Sequence, residues 1–336
     1  MPALDASPEV LVNSAHAKMN QENQHHTRAV YLVGLFAGIL AVSTASIFIR
    51  FAQQEVPSLV IAAGRMVIST LVMLPFALSE LKRNPVIFTR KKVLLLVFAG
   101  VSLGLHFATW ITSLEYTSVA SSVVLVTTAP LWVALFSPLI LKERITKQVL
   151  IGLIVSLVGG IIVGISSNCA ATGGKITCSG LGDLLGGANS LGNLLAFAGA
   201  LLSGAYLIAG RKVRSTIALP VYTFIVYGIA ALILMVLMLL KRDSVTGYSP
   251  MSYVWILALA LIPQSIGHTA FNWALKFLPA AYVSIALLGE PVGTIMLAAL
   301  LLHEAPTSLE LLGGLLVLTG IVVATQRIAT KKRPPE

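Results

Sequence analysis

Hydrophobic residues in this chain form long runs that are separated by short polar connections. A helix needs about 20 apolar residues to cross about 30 Å of hydrocarbon. Lipid offers the backbone no hydrogen-bond partner, so each run of this length is predicted to be a helix. Ten runs qualify: 30–49, 58–78, 93–113, 119–140, 148–166, 191–210, 219–240, 252–274, 281–302 and 309–326. The pattern therefore predicts an all-α integral membrane protein with ten transmembrane helices.

The composition agrees with a chain that faces lipid. It is 57% hydrophobic and 11% charged, whereas a soluble domain carries about 25% charged residues. The net charge of +10 is spread over short clusters between the apolar runs. We therefore expect the lipid bilayer, and no nucleic acid, as a partner. Residues 1–29 are expected to form a disordered cytoplasmic tail, and 328–336 a basic cytoplasmic tail.

The distribution of Lys and Arg orients the spans. With the N-terminus in the cytoplasm, 18 basic residues lie inside and 4 outside, and Arg65 falls within the second span. The positive-inside rule thus predicts a multi-pass protein of the cell (inner or plasma) membrane with both termini cytoplasmic. The Gly/Ser-rich segment 167–190 then faces out. Its Cys169 and Cys178 are expected to close a small loop as a disulfide, with free thiols as the alternative.

The chain also repeats itself at a constant offset of 161 residues. Arg50, Leu114, Pro130, Glu143, Gly152 and Gly159 recur as Arg211, Leu275, Pro291, Glu304, Gly313 and Gly320. The two copies, 30–166 and 191–327, hold five spans each, and an odd number inverts the second copy relative to the first. Inverted five-helix repeats are typical of secondary transporters, which hold the substrate between the halves. The repeated glycines predict close helix contacts, either within the chain or in a homodimer.

Glu290 is the one acidic residue deep inside an apolar run, and it stands immediately before Pro291. A charge near the membrane midplane costs roughly 2.5–3.5 kcal/mol, so it indicates a functional site. The repeat position holds Ala129 before Pro130, so the predicted site is asymmetric. Both prolines remove a backbone hydrogen bond and are predicted hinges.

The eighth run carries Gln264, His268 and Asn272 at a spacing of four residues. In an α-helix this spacing places them on one stripe, which should face the bundle interior. Helix–helix hydrogen bonding without a role in transport is the alternative. His268 is predicted to lie at a depth similar to that of Glu290. The two are expected to couple cargo movement to protons, or else to form a structural pair.

Three further polar side chains are candidates, each with two interpretations. Arg65 either binds an anionic group of the cargo or extends to the outer headgroups. Trp110 either lines the cavity or serves packing and interface anchoring. Thr128 supplies either a cavity hydroxyl or a hydrogen bond to a backbone carbonyl.

Three stretches, 45–66, 106–135 and 267–304, carry a resemblance to a known family. The patterns YTSVASS…P…KER and LPAAYVS…EPV…HE in the two halves are similar to the two repeats of prokaryotic EamA-type members of the drug/metabolite transporter superfamily. The resemblance covers roughly residues 30–327. It implies a ten-helix secondary carrier from a family in which many members export amino acids or other small metabolites.

The sequence thus predicts a secondary active transporter of small-molecule cargo that works by alternating access and is coupled to protons. No cofactor, metal site or enzymatic activity is expected, because H-E-x-x-H, G-x-S-x-G and phosphate-binding glycine motifs are absent. Two alternatives stay open at this point: a structural membrane subunit that carries nothing, and an intramembrane enzyme.

Overall fold

The computed structural model of the chain describes residues 30–117, 122, 125–126, 128–166, 169–172, 175–178, 190–301 and 307–325. These residues are helical apart from their connections and one short hairpin. The described helices are α1 (Val30–Ala52), α2 (Ser58–Arg83), α3 (Arg90–Tyr116), α4 (Ala129–Ile140), α5 (Lys147–Ser166), α6 (Ser190–Arg214), α7 (Leu219–Lys241), α8 (Pro250–Ala274), α9 (Ala280–Leu287 continued by Gly289–Leu301) and α10 (Ser308–Thr325).

Seven of the described helices are long and apolar enough to cross a membrane: α1, α2, α3, α6, α7, α8 and α9. The apolar parts of α4, α5 and α10 are shorter, at Ala129–Ile140, Lys147–Ile162 and Leu311–Ala324. Large apolar side chains such as Leu71, Phe98 and Leu239 are exposed on the outside of the bundle. The protein is therefore a multi-pass membrane protein, while the full count of ten spans stays a prediction.

Prolines mark where several of the helices begin. Pro57 precedes α2, Pro220 lies in the first turn of α7, and Pro250 opens α8. A proline is favourable there because the first-turn N–H groups have no partner within the helix. At the far end of α7, Arg242 takes the left-handed conformation that often ends helices, with φ at 59°. The prolines and the left-handed residue therefore define these helix ends.

The helices pack in a pattern that matches the sequence repeat. Helices α1 to α5 correspond to α6 to α10 in the repeat. The α3–α6 contact therefore corresponds to the α8–α1 contact, and both occur. In the same way, α4–α6 corresponds to α9–α1, and α3–α7 corresponds to α8–α2. Three further contacts, α2 with α7, α4 with α9 and α5 with α10, each join two repeat mates. The backbone frame thus follows the five-helix repeat.

The repeated glycines let α5 and α10 touch backbone to backbone. A Cβ atom at Gly152 would lie 2.5 Å from the Gly320 carbonyl oxygen, and one at Gly159 would lie 2.6 Å from that of Gly313. Between them, Ser156 Oγ donates to the Val317 carbonyl oxygen at 3.3 Å. The order of these contacts shows that the two helices run antiparallel. The glycine surfaces predicted from the sequence therefore meet within one chain.

The segment 167–190 contains a hairpin of β1 (Cys169–Thr172) and β2 (Lys175–Cys178). The strands are antiparallel, and their register places Cys169 directly opposite Cys178. This backbone pairing agrees with the expected disulfide, which stays a prediction. The predicted tails, 1–29 and 328–336, lie outside the described residues.

Glu55, in the connection between α1 and α2, completes the start of α8. Its Oε2 accepts from the Ser249 backbone N–H at 2.9 Å and from Ser252 Oγ at 2.8 Å. This carboxylate takes the place of the acidic residue of a capping box, and it also lies favourably at a helix N-terminus. The hydrogen bonds from Ser249 and Ser252 lower the pKa of Glu55 from its ordinary value.

We expect Glu55→Gln to reduce protection of the first turn of α8. A lowered carboxyl pKa stabilises the folded state above the usual titration range, and this stabilisation is lost as pH falls through the lowered pKa. Hydrogen exchange of residues 251–253 should be about threefold faster in Glu55→Gln at neutral pH. Protection factors, which remove the intrinsic pH dependence of exchange, should converge with those of the wild type once the pH falls below the lowered pKa of Glu55. A difference that persists in acid would contradict this role of the carboxylate.

Candidate functional site

Three irregular helices meet in the bundle. In α8, Ala260–His268 is a π-helix, α1 is interrupted at Thr44, and α9 is interrupted at Leu288. The π segment packs on α1, because a Cβ atom at Gly267 would lie 3.1 Å from the Val42 nitrogen. Interrupted membrane helices and π segments are found at functional sites more often than elsewhere.

The interruptions of α1 and α9 are joined by hydrogen bonds beside Glu290. Ser43 Oγ donates to the Glu290 carbonyl oxygen at 3.0 Å, and Thr294 Oγ1 donates to the Ser43 carbonyl oxygen at 2.9 Å. At the start of the π segment, the Ala260 carbonyl oxygen accepts from Ser69 Oγ at 2.9 Å. Hydroxyl groups thus satisfy backbone groups at the irregular positions, as a membrane interior requires.

Arg65, on α2, lies at the centre of this region with its side chain fully buried. Its Nη2 donates to Gln264 Oε1 at 2.8 Å, and its Cζ lies 4.2 Å from the centroid of the Phe107 ring. Of the two interpretations of Arg65, extension to the headgroups is not what the structure shows. The guanidinium instead faces the bundle interior.

Donors on these two side chains lack acceptors. Arg65 Nε, Arg65 Nη1 and Gln264 Nε2 are buried and make no hydrogen bond within the described part of the chain. A buried donor without a partner costs roughly 1–3 kcal/mol, so each such atom calls for a physical explanation. This group of donors is the strongest sign of a binding site in the structure.

Glu290 is half-buried at the start of the second part of α9. It interacts electrostatically with Arg65, but no ion pair joins the two among the described residues. His268 packs the edge of its ring against Phe107 at 5.4 Å and interacts with Arg65 and His106. The described hydrogen bonds and ion pairs do not link His268 to Glu290. Arg65 is instead the charged neighbour that both of them share.

Asn272 forms several hydrogen bonds to neighbouring helices. Its Oδ1 accepts from the Tyr206 hydroxyl at 2.6 Å, and its Nδ2 donates to the Tyr227 hydroxyl at 3.3 Å. Arg214 Nε donates to the Asn272 carbonyl oxygen at 2.9 Å. Gln264 and Asn272 are both fully buried, as the interior stripe requires. The Tyr227 hydroxyl joins them, because it also donates to the Gln264 carbonyl oxygen at 3.4 Å. For Asn272 these contacts match helix–helix hydrogen bonding.

The remaining candidates have mainly packing contacts. Trp110 is buried and stacks on His106 with centroids 5.9 Å apart, so it packs inside the bundle. Thr128 Oγ1 donates to the Leu125 carbonyl oxygen at 2.7 Å, which matches its backbone role. Pro130 lies in the first turn of α4, and Pro291 in the first turn of the second part of α9. In α9 the interruption at Leu288 thus precedes the proline.

Most of the polar side chains of this site occur in only one copy of the repeat. Arg65, Gln264, Asn272, Glu290, Ser43, Tyr206 and Tyr227 correspond to Val226, Leu103, Ile111, Ala129, Gly204, Ala45 and Met66. The same helix contact occurs in both halves. In one half, Ser43 Oγ donates to the Glu290 carbonyl oxygen. In the other half, a Cβ atom at Gly204, the mate of Ser43, would lie 3.6 Å from the Ala129 carbonyl oxygen. A symmetric frame therefore carries an asymmetric site.

A second polar cluster, the Arg211 cluster, ties one end of the bundle together. Arg211 Nε lies 2.7 Å from Glu143 Oε1, and Arg211 Nη1 donates to the carbonyl oxygens of Leu275 at 2.8 Å and Lys276 at 3.1 Å. Glu143 Oε2 accepts from the Ala280 backbone N–H at 3.1 Å. The cluster thus joins the α4–α5 connection, α6, the end of α8 and the start of α9.

The repeat mate of Arg211 is Arg50, which differs in its contacts. Arg50 lies in the last turn of α1, at the opposite end of the bundle from Arg211. It is exposed and makes no hydrogen bond or ion pair within the described part of the chain. The carbonyls that correspond to those bound by Arg211 are Leu114 and Glu115, at the end of α3. The two arginines of the repeat thus have different surroundings at the two ends of the bundle.

A multi-pass helical bundle with charged groups at its interrupted helices has the features of a membrane transport protein. Comparison with known proteins agrees. The chain belongs to the EamA-like transporter family, whose model matches residues 29–165 and again 190–326. The two matches are 161 residues apart at both ends, which is the offset of the sequence repeat.

Curated relatives are named as transporters without a stated cargo. "Uncharacterized transporter YdfC" of Bacillus subtilis is 26% identical over 263 residues, which cover 78% of this chain and 79% of the relative. "Uncharacterized transporter YetK" of the same organism is 21% identical over 90% of this chain and 88% of its own. A solved crystal structure covers 90% of this chain and 99% of its own, with a TM-score of 0.71 at 19% identity. It shows the fold alone.

Proposed function

We propose that this protein is a secondary active transporter that exports amino acids or other small metabolites across the cell membrane by alternating access. The observation that carries the proposal is the buried Arg65–Gln264 pair at the junction of three irregular helices, because three of its donor atoms have no acceptor among the described residues. A membrane protein with only a structural role has no need for unpaired donors at its centre. Family membership supports the general role of a transporter.

Contacts between the repeat mates support two inverted halves. Exchanging the copies converts the Gly152–Gly320 contact into the Gly159–Gly313 contact, as a two-fold axis perpendicular to α5 and α10 requires. A hydrogen bond from Arg214 to the Asn272 carbonyl has its counterpart in one from Gln53 Nε2 to the Ile111 carbonyl at 3.3 Å. In inverted repeats each half can adopt the conformation of the other, and this exchange opens the site to alternate sides.

The two ends of the bundle support a state that is closed on one side. With the N-terminus in the cytoplasm, as the basic residues favour, the Arg211 cluster seals the cytoplasmic end. Arg50 then lies at the outer end, exposed and without a hydrogen bond. We propose that closure of the outer end brings Arg50 to the Leu114 and Glu115 carbonyls, as Arg211 binds the Leu275 and Lys276 carbonyls on the opposite side.

Glu290 is the proposed proton-coupling group. It is a half-buried carboxylate beside the α1–α9 contact, and Arg65 is its charged neighbour. The other titratable groups in this region, His268 and His106, also interact with Arg65. Movement of a proton at Glu290 therefore changes the charge that Arg65 experiences, which links protons to whatever Arg65 binds.

Transport in sealed vesicles tests the proposal. The purified protein is reconstituted, and efflux of labelled amino acids and small metabolites is measured with and without an imposed pH gradient. Protein-free vesicles prepared in the same way are the control. We expect protein-dependent flux of a subset of the panel, with accumulation when the gradient is present. Flux no faster than in protein-free vesicles for every solute would favour the structural subunit.

A further inference from the structure

The donors that surround Arg65 outnumber the acceptors. A guanidinium carries five N–H donors and no acceptor. Within the described residues, the one acceptor that Arg65 reaches with a hydrogen bond is Gln264 Oε1. The Gln264 amide then points its own donor, Nε2, into the same region without a partner. Arg65 and Gln264 are both fully buried, so bulk water does not satisfy these groups. A ligand that completes this site must consist of acceptors.

The charge and shape of the site restrict the ligand further. There is one guanidinium, and Glu290 is an acidic neighbour, so the local charge favours a monoanion over a dianion such as phosphate. Phe107 covers a face of the guanidinium at 4.2 Å, which leaves the in-plane N–H groups for binding. A planar acceptor with two oxygens fits donors that lie in the guanidinium plane.

From this geometry we infer that Arg65 and Gln264 form a receptor for a single carboxylate group of the transported solute. One carboxylate oxygen accepts from a free guanidinium N–H group, and the other accepts from Gln264 Nε2. The inference rests on the proposed function, since it names the chemical group by which the carrier recognises its cargo. The matching positions in the other copy, Val226 and Leu103, are apolar, so the receptor exists once per chain.

Binding to the purified protein in detergent tests the inference without transport. The probes are the L-amino acids, hexanoate and 3-phenylpropanoate, each paired with its primary amide, together with inorganic phosphate and sulfate. We expect at least one acid to raise the thermal unfolding midpoint, and its amide to leave the midpoint unchanged at the same concentration. Amides that bind as well as their acids would overturn the inference. So would stronger binding of phosphate or sulfate, or a panel in which no acid binds.

Variants then assign the carboxylate to these side chains. Arg65→Lys keeps the charge but loses the planar donor fork, so affinity for the acid should fall about tenfold or more. Gln264→Glu places a carboxylate on Arg65 and should abolish binding, whereas the similar-sized Gln264→Met should weaken it severalfold through loss of one donor. Arg83→Lys makes the same chemical change at an exposed position, at the end of α2, and should bind as the wild type does. Unchanged affinity in folded Arg65→Lys or Gln264→Met, judged by monodisperse elution, would refute the assignment.

The outcome separates this inference from the proposed function. If acids bind and lose affinity in Arg65→Lys while vesicle flux is absent, the carboxylate receptor is supported and the transport function is contradicted. If vesicles transport solutes without a carboxylate and no acid binds, the transport function is supported and the carboxylate receptor is contradicted.

Discussion

Glu290→Gln is expected to abolish accumulation of cargo driven by a pH gradient while leaving cargo exchange intact. Glutamine keeps the size and polarity of the side chain but binds no proton in the relevant pH range, so the link between proton and cargo movement is lost. The Ser43 contact uses the backbone carbonyl of Glu290 and persists in the variant. Exchange of labelled for unlabelled cargo needs binding and reorientation but no net proton movement. The decisive measurement in vesicles compares accumulation with exchange.

Glu80→Gln is the matched control for this experiment. Glu80 lies in the last turn of α2, where its Oε1 accepts from Asn84 Nδ2 at 3.0 Å in an exposed hydrogen bond. The same chemical change there should leave both accumulation and exchange unchanged. Full accumulation in Glu290→Gln would remove this carboxylate from coupling, and loss of both activities would assign it to cargo binding or folding.

The helices were predictable from the sequence because the membrane leaves the backbone few options. The runs 58–78, 93–113 and 219–240 lie within α2, α3 and α7. The irregularities were not predicted, because an apolar run looks the same in sequence whether the helix is α, π or interrupted. Pro263, inside the π segment, was the available signal, since a proline there removes one α-helical hydrogen bond.

Candidates at the site were found where polarity stands out in an apolar run, as for Arg65, Gln264 and Glu290. Tyr206 and Tyr227 were missed because aromatic residues are ordinary in membrane helices. Comparison of the repeat copies would have found them, since their mates, Ala45 and Met66, are apolar.

The choice of partner for Glu290 depended on helix depth alone. That argument assumed a straight α-helix through the eighth span and favoured His268. The π-helix at Ala260–His268 has a wider turn than an α-helix and so alters the relative facing of side chains along α8. The charged neighbour of Glu290 is Arg65 on α2, more than 200 residues earlier in the chain. Spacing along the sequence does not predict a contact between residues on two helices so far apart in the chain.

Arg211→Ala is expected to loosen the cytoplasmic end of the bundle. The change leaves the Leu275 and Lys276 carbonyls without a charged donor and removes the cation from Glu143, which holds the Ala280 N–H. Loss of a charge-assisted hydrogen bond in a partly buried cluster costs about 1.5–3 kcal/mol. Hydrogen exchange in residues 280–284 should therefore be about tenfold faster or more. If the proposed orientation holds, the variant populates the state that is open to the cytoplasm.

Arg50→Ala makes the same change at the repeat mate and should give a different result. Because Arg50 is exposed and unbonded, its removal should leave hydrogen exchange unchanged at both ends of the bundle. Closure of the outer end, however, is proposed to need the bond from Arg50 to the Leu114 and Glu115 carbonyls, so flux should fall in the same variant. Loss of flux without faster hydrogen exchange would show that Arg50 acts in the conformation that is closed at the outer end, and that it does not stabilise the conformation described here. Faster exchange at the end of α3 in Arg50→Ala, or wild-type flux, would contradict the exchange of roles between the two arginines.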